Sequence, residues 1–116
     1  MSEISGVVQS VPFSGTRKYI VKRLKLMADY QCHPIWDMSP GKYRDVDPDE
    51  LPISEGLKVR VRAWAAKYDE TLNIDSPADS GFATEELEEG FNEEGRVIAS
   101  LLKSELGAEC EVILVL

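Results

Sequence analysis

The sequence predicts an α+β domain in which a small sheet containing the first and last strands is packed by two amphipathic helices. Three observations lead there. Between Tyr19 and Ala28 the residues Ile20, Leu24, Leu26 and Ala28 share one parity while Arg23 and Lys25 take the other, the period of a half-buried strand. Two later stretches carry apolar residues at helical spacing, each behind a hydroxyl residue suited to an N-cap. The run Cys110 to Leu116 is β-rich and apolar on both parities towards its end, as expected of a strand covered on both faces or lying centrally in a sheet.

Residues 1–18, rich in Ser and Gly, suit an N-terminal arm or edge strand, and residues 19–116 are expected to form a single α+β domain. Five breakers, Pro34, Pro40, Gly41, Pro48 and Pro52, make 29–52 a long irregular connection with room for a strand around Pro34 to Met38. Ser54 is the expected cap of the first helix, whose stripe reads Leu57, Val61, Trp64, Ala65, Tyr68 and Leu72. A loop from Asn73 to Ala83 leads to Thr84, the second cap. The second stripe follows as Leu87, Phe91, Gly95, Ile98, Leu101, Leu102 and Leu106, and Gly107 can supply a left-handed C-cap. Glu85 and Glu86 fall in the first turn, where the helix dipole favours anions.

A chain of 116 residues, 43% hydrophobic and 29% charged, is long enough for one core and too apolar for wholesale disorder. Its longest apolar run, Val112 to Leu116, is far short of the ~20 residues of a membrane span. Met1 to Ser10 lacks the pattern of an export signal, so the cytosol is the expected location, with Cys32 and Cys110 as reduced thiols. A net charge of −8 argues against direct nucleic-acid binding.

Catalytic and metal signatures are sparse. The single histidine, His33, adjoins Cys32, and neighbours in an extended segment point to opposite faces, which disfavours a nucleophile and base pair. A thiol or carboxylate site at Cys32, His33 and Asp37 is the minor enzymatic alternative. Asp75, Asp79 and Glu86 stand at the first, fifth and twelfth positions of a calcium-loop frame, but Pro77 at the third has no ligand side chain, and the glycine stands at the seventh, Gly81, instead of the sixth, where the sharp turn needs it. No catalytic residue, metal site or cofactor is therefore assigned.

The charge distribution is the strongest functional signal. No Lys or Arg occurs between Tyr68 and Gly95, an interval holding ten acidic residues. Residues 69–116 carry 2 basic and 13 acidic side chains, a net of −11, against +3 for residues 1–68. Acidic helix faces are common on solvated surfaces. Here, however, the cations that usually interleave at i+4 are missing until Arg96, and a basic partner would relieve the repulsion. The expected partner surface comprises Asp75, Asp79, Glu85, Glu86, Glu88 and Glu89, with Trp36, Tyr43 and Phe82 as apolar anchors on loops. Trp64, Tyr68 and Phe91 lie on the helical stripes and are expected in the core.

The strings Leu26-Met27-Ala28-Asp29-Tyr30, Cys32, Pro34-Ile35-Trp36, Leu51-Pro52-Ile53-Ser54, Trp64-Ala65-Ala66-Lys67-Tyr68-Asp69, Thr71-Leu72-Asn73 and Ser80-Gly81-Phe82 resemble a family of small acidic bacterial proteins over about residues 24–116. That family offers no catalytic residues to carry over. In size, charge and lack of motifs the chain is also similar to the immunity proteins of contact-dependent and other polymorphic toxin systems, whose toxins are often nucleases. The resemblance implies an inhibitor that neutralises a basic toxin domain, a nuclease, through the acidic surface. The alternative is a self-associating structural or regulatory module, and the oligomeric state stays open.

Overall fold

A computed structural model describes residues 23–41 and 43–116. The arm expected over residues 1–18 and the start of the strand expected from Tyr19 lie outside them. Strands β1 (Arg23–Leu26), β2 (Ile35–Asp37), β3 (Arg44–Asp45) and β4 (Glu111–Leu114) form one sheet in the order β3-β2-β1-β4. Helices α1 (Glu55–Asp69) and α2 (Glu85–Leu106) complete an α+β fold. β1 pairs antiparallel with β2 and parallel with β4. A parallel pair needs a crossover, and the segment carrying both helices supplies it.

Register explains which face is buried. Leu24 lies opposite Asp37 and Val112, and Leu26 opposite Ile35 and Leu114, so these side chains share the face on which the helices pack. Lys25, Trp36 and Ile113 share the other face, where Arg23 also pairs with Glu111 at 2.9 Å. The core joins Leu24, Leu26, Ile35 and Val112 of the sheet to Leu57, Val61, Trp64, Phe91, Ile98 and Leu102 of the helices.

The expected position of the last strand needs correction. β4 stands at the end of the strand order of the described residues, and Ile113 is 38% exposed. Both helices cover the same sheet face, so among the described residues the outward-pointing parity of β4 receives no such cover. Among the described residues the inner places belong to β1 and β2.

Both helices begin as the sequence predicts. Ser54 Oγ accepts from Leu57 N at 3.2 Å, and Thr84 Oγ1 accepts from Leu87 N at 3.1 Å. Glu105, near the end of α2, reaches back to the start of α1 and accepts from Ser54 N and Ser54 Oγ at 2.6 and 2.8 Å. Gly107 closes α2 with φ 86° and donates to Lys103 O. α1 stops at Asp69, so Leu72 is half-buried beyond it rather than part of its stripe.

Trp64 fixes how the helices meet. Its indole stacks on Phe91 with centroids 4.5 Å apart and planes 9° from parallel, and Nε1 donates to Phe91 O at 2.8 Å. Gly95 admits the ring, for a Cβ there would stand 2.9 Å from the Trp64 Cζ2 atom. Arg60 meets Glu94 at one end of this contact, and Gly81 N donates to Thr71 O at the other, so α1 and α2 run antiparallel.

Candidate functional site

Between the C-terminal half of α1 and the first turns of α2 lies a groove of about 560 Å³. Its floor is aromatic. Phe91 is buried, Phe82 packs against it at a centroid distance of 5.0 Å, and Trp64 closes the bottom. Ala63 and Gly90 line the facing walls, and their small size leaves the space open. Leu87, 57% exposed, projects at the rim.

This differs from the sequence expectation at Leu87, which belongs to the apolar stripe of α2 by spacing yet is exposed. Phe82 stands on the loop before α2 and is half-buried against the core. The loop before α2 folds back so that Phe82 reaches Phe91, and the first turn of the helix extends beyond that cover.

The loop holds its shape by internal hydrogen bonds. Asn73 Oδ1 accepts from Asp75 N and Ser76 N, and Ser80 Oγ accepts from Asn73 N. Pro77–Asp79 forms a 3₁₀ turn in which Asp79 accepts from Ser76 Oγ at 2.8 Å. Among the described residues no group of three or more His, Cys, Asp or Glu is placed to hold a metal ion. Ile74, flanked by Asn73 and Asp75, is 83% exposed. The sequence reading missed it, although one large apolar residue within a polar loop is a visible signal.

The acidic run divides into two electrostatic halves. Arg60 donates to Glu94 from Nε and Nη2 at 2.9 and 2.8 Å, and Arg96 reaches Glu93 at 2.9 Å and Glu89 at 3.5 Å. Two further cations of α1 are also engaged, Lys58 with Asp49 and Glu55 and Arg62 with Asp47 and Asp49. By contrast, Glu70, Asp75, Asp79, Glu85, Glu86 and Glu88 have no ion-pair partner among the described residues, although Lys67 also lines the groove. The unneutralised carboxylates thus gather where α1 ends, through the loop, and on the first turn of α2.

The other expected anchors lie elsewhere. Ile35 and Asp37 of β2 turn towards the helices, so Trp36 between them faces away, with its indole donating to Met27 O at 2.8 Å and Lys25 Nζ 5.7 Å from the ring centre. Trp36 thus stands in a strand rather than on a loop. Tyr43, 67% exposed, immediately precedes β3. Neither lines the groove.

The surroundings of Cys32 disfavour its thiolate. Burial, then Asp29, Asp45 and Asp69, push the Cys32 thiol up, whereas a reactive cysteine needs a lowered pKa. Cys32 Sγ donates to Tyr30 O at 3.2 Å, and His33 Nε2 instead approaches Asp47 at 4.0 Å. Cys32 and Cys110 are free thiols, and burial followed by Asp37 raises Cys110 as well. No helix among the described residues is long and apolar enough to cross a membrane.

The fold and the groove define a small α+β protein in which, among the described residues, the carboxylates of the acidic run that lack an ion pair gather at one end of a helix pair. The chain belongs to the Serratia CdiI immunity protein-like family, whose model matches residues 22–115. Membership implies a toxin-immunity function in general and a cognate toxin as partner. No curated protein matches the chain.

Proposed function

We propose that the protein neutralises a basic toxin domain, a nuclease, by covering it with the loop from Asn73 to Ala83 and the first turns of α2. The observation that carries this reading is the segregation of charge: among the described residues, the carboxylates of the acidic run beyond the reach of Arg60 and Arg96 have no ion-pair partner, while those within reach of these arginines are paired. Asp75, Asp79, Glu85, Glu86 and Glu88 present that negative field, with Glu89 at its boundary and Phe82 beneath it. A domain that grips nucleic acid presents a basic cleft. An acidic surface competes for such a cleft and docks rapidly through electrostatic steering. Inhibition then consists of occupying the cleft, with no cofactor or chemical step, in the cytosol where the nuclease would find its substrate.

The test is protection in a co-expression assay. Wild-type protein should restore growth to cells producing the toxin domain, and the variant Glu85→Lys/Glu86→Lys/Glu88→Lys/Glu89→Lys should fail at equal abundance. Full protection by this variant would contradict the acidic-surface reading. Concentration-dependent self-association without toxin binding would favour the self-associating module instead.

A further inference from the structure

We propose that the groove between α1 and α2 seats a segment of the toxin in which an apolar side chain stands beside an arginine or lysine. This rests on the reading of the acidic end as the toxin-facing surface and names what enters it. At about 560 Å³ the groove falls within the ~300–1,000 Å³ of pockets that enclose a ligand group. The space is open because the wall residues are small: a Cβ built on Gly90 would meet no atom within 4 Å. Phe82 and Phe91 offer an aromatic floor, and Leu87 holds its side chain out at the rim. Such a surface rewards an apolar insert.

The two ends differ in charge, and this polarity selects the insert. At one end Glu94 is neutralised by Arg60. At the other, Glu70 and Glu86 line the groove with Lys67 as the cation among the described lining residues, and Glu85 and Glu88 stand beside Glu86 in the sequence of α2. An incoming cation therefore gains at the Glu70/Glu86 end and not at the Arg60 end, while its aliphatic stem can lie on the aromatic floor. A purely apolar segment would leave these carboxylates without a partner, and an anionic one would be repelled.

The deciding variant is Gly90→Leu, which fills the groove and leaves the net charge unchanged. Leucine replaces glycine in a helix interior with open space above it, so folding should be retained, and thermal unfolding verifies this. Binding is measured with the purified toxin domain whose growth arrest the protein relieves, alongside the four-lysine variant. The expected result is an increase in the dissociation rate of about tenfold for Gly90→Leu, with little change in association rate, because affinity changes within one interface fall mostly on dissociation. Wild-type binding by Gly90→Leu together with weakened binding by the four-lysine variant would overturn the groove proposal while leaving the acidic-surface reading intact. Wild-type binding by both would overturn both. A small molecule or second copy displaced by Gly90→Leu without effect on toxin binding would also assign the groove elsewhere.

Discussion

Arg60 of α1 and Glu94 of α2 form a two-pronged ion pair, at 2.8 and 2.9 Å, that marks where the acidic run stops being internally balanced. On the α2 side, Glu94, Glu93 and Glu89 are reached by Arg60 or Arg96; further towards the helix start, Glu88, Glu86 and Glu85 are not. The boundary also lies at the groove, since Arg60 and Glu94 line one end and Glu86 the other.

The glycines of α2 should respond in opposite directions to alanine. A methyl at Gly95 would meet the buried, hydrogen-bonded ring of Trp64 at 2.9 Å and the Leu116 Cδ2 atom at 3.2 Å. Overpacking of roughly 1–3 kcal/mol exceeds the gain of about 1 kcal/mol in helix propensity, so Gly95→Ala should destabilise. Gly90→Ala has open space and should stabilise by about 0.5–1 kcal/mol. Urea unfolding of both variants checks the opposite signs.

The two N-caps should separate stability from function. Ser54→Ala removes the acceptor for Leu57 N and one of two bonds to Glu105, at a cost of roughly 1–2 kcal/mol. Thr84→Ala should cost about 1 kcal/mol and loosen the first turn of α2, which presents Glu85, Glu86 and Glu88. Only the second variant should lower toxin affinity beyond its effect on folding. Chemical denaturation paired with a binding titration tests this.

The thiols should be unreactive. Burial and neighbouring carboxylates raise Cys32, and burial and Asp37 raise Cys110, so alkylation at neutral pH should be slower than for a free cysteine. Tyr68 is likewise raised, chiefly by burial and then by Tyr30 and Asp29. For all three the folded state holds the proton more tightly, so their stabilisation is complete below the unfolded pKa values and is lost as pH rises through the folded ones. Stability should therefore fall on the alkaline side, from about pH 8.5 upwards for the thiols. Urea midpoints and iodoacetamide rates across pH provide the measurement.

Much of the fold was legible because local rules and tertiary packing agree. Ser54 and Thr84 cap the helices the spacing predicts, and the apolar parity of Leu24 and Leu26 is the buried face of β1. β3 escaped notice because Arg44–Asp45 is too short to show a period. The covering of β4 was misjudged because two apolar parities do not reveal that both helices pack on one side. In the site, the excess of carboxylates is visible in the sequence, but its division is not: Arg60 and Glu94 meet across 34 positions. The same holds for Phe82 and Leu87, whose burial depends on how the loop folds over Phe91.

The most direct test of toxin neutralisation through unpaired acids is the association rate of the purified toxin domain at two ionic strengths, measured for wild type and for the four-lysine variant. The wild-type rate should fall steeply with added salt, and the variant should associate at least about tenfold more slowly at low salt with little salt dependence. Equal rates with equal salt slopes for the two proteins would contradict the account.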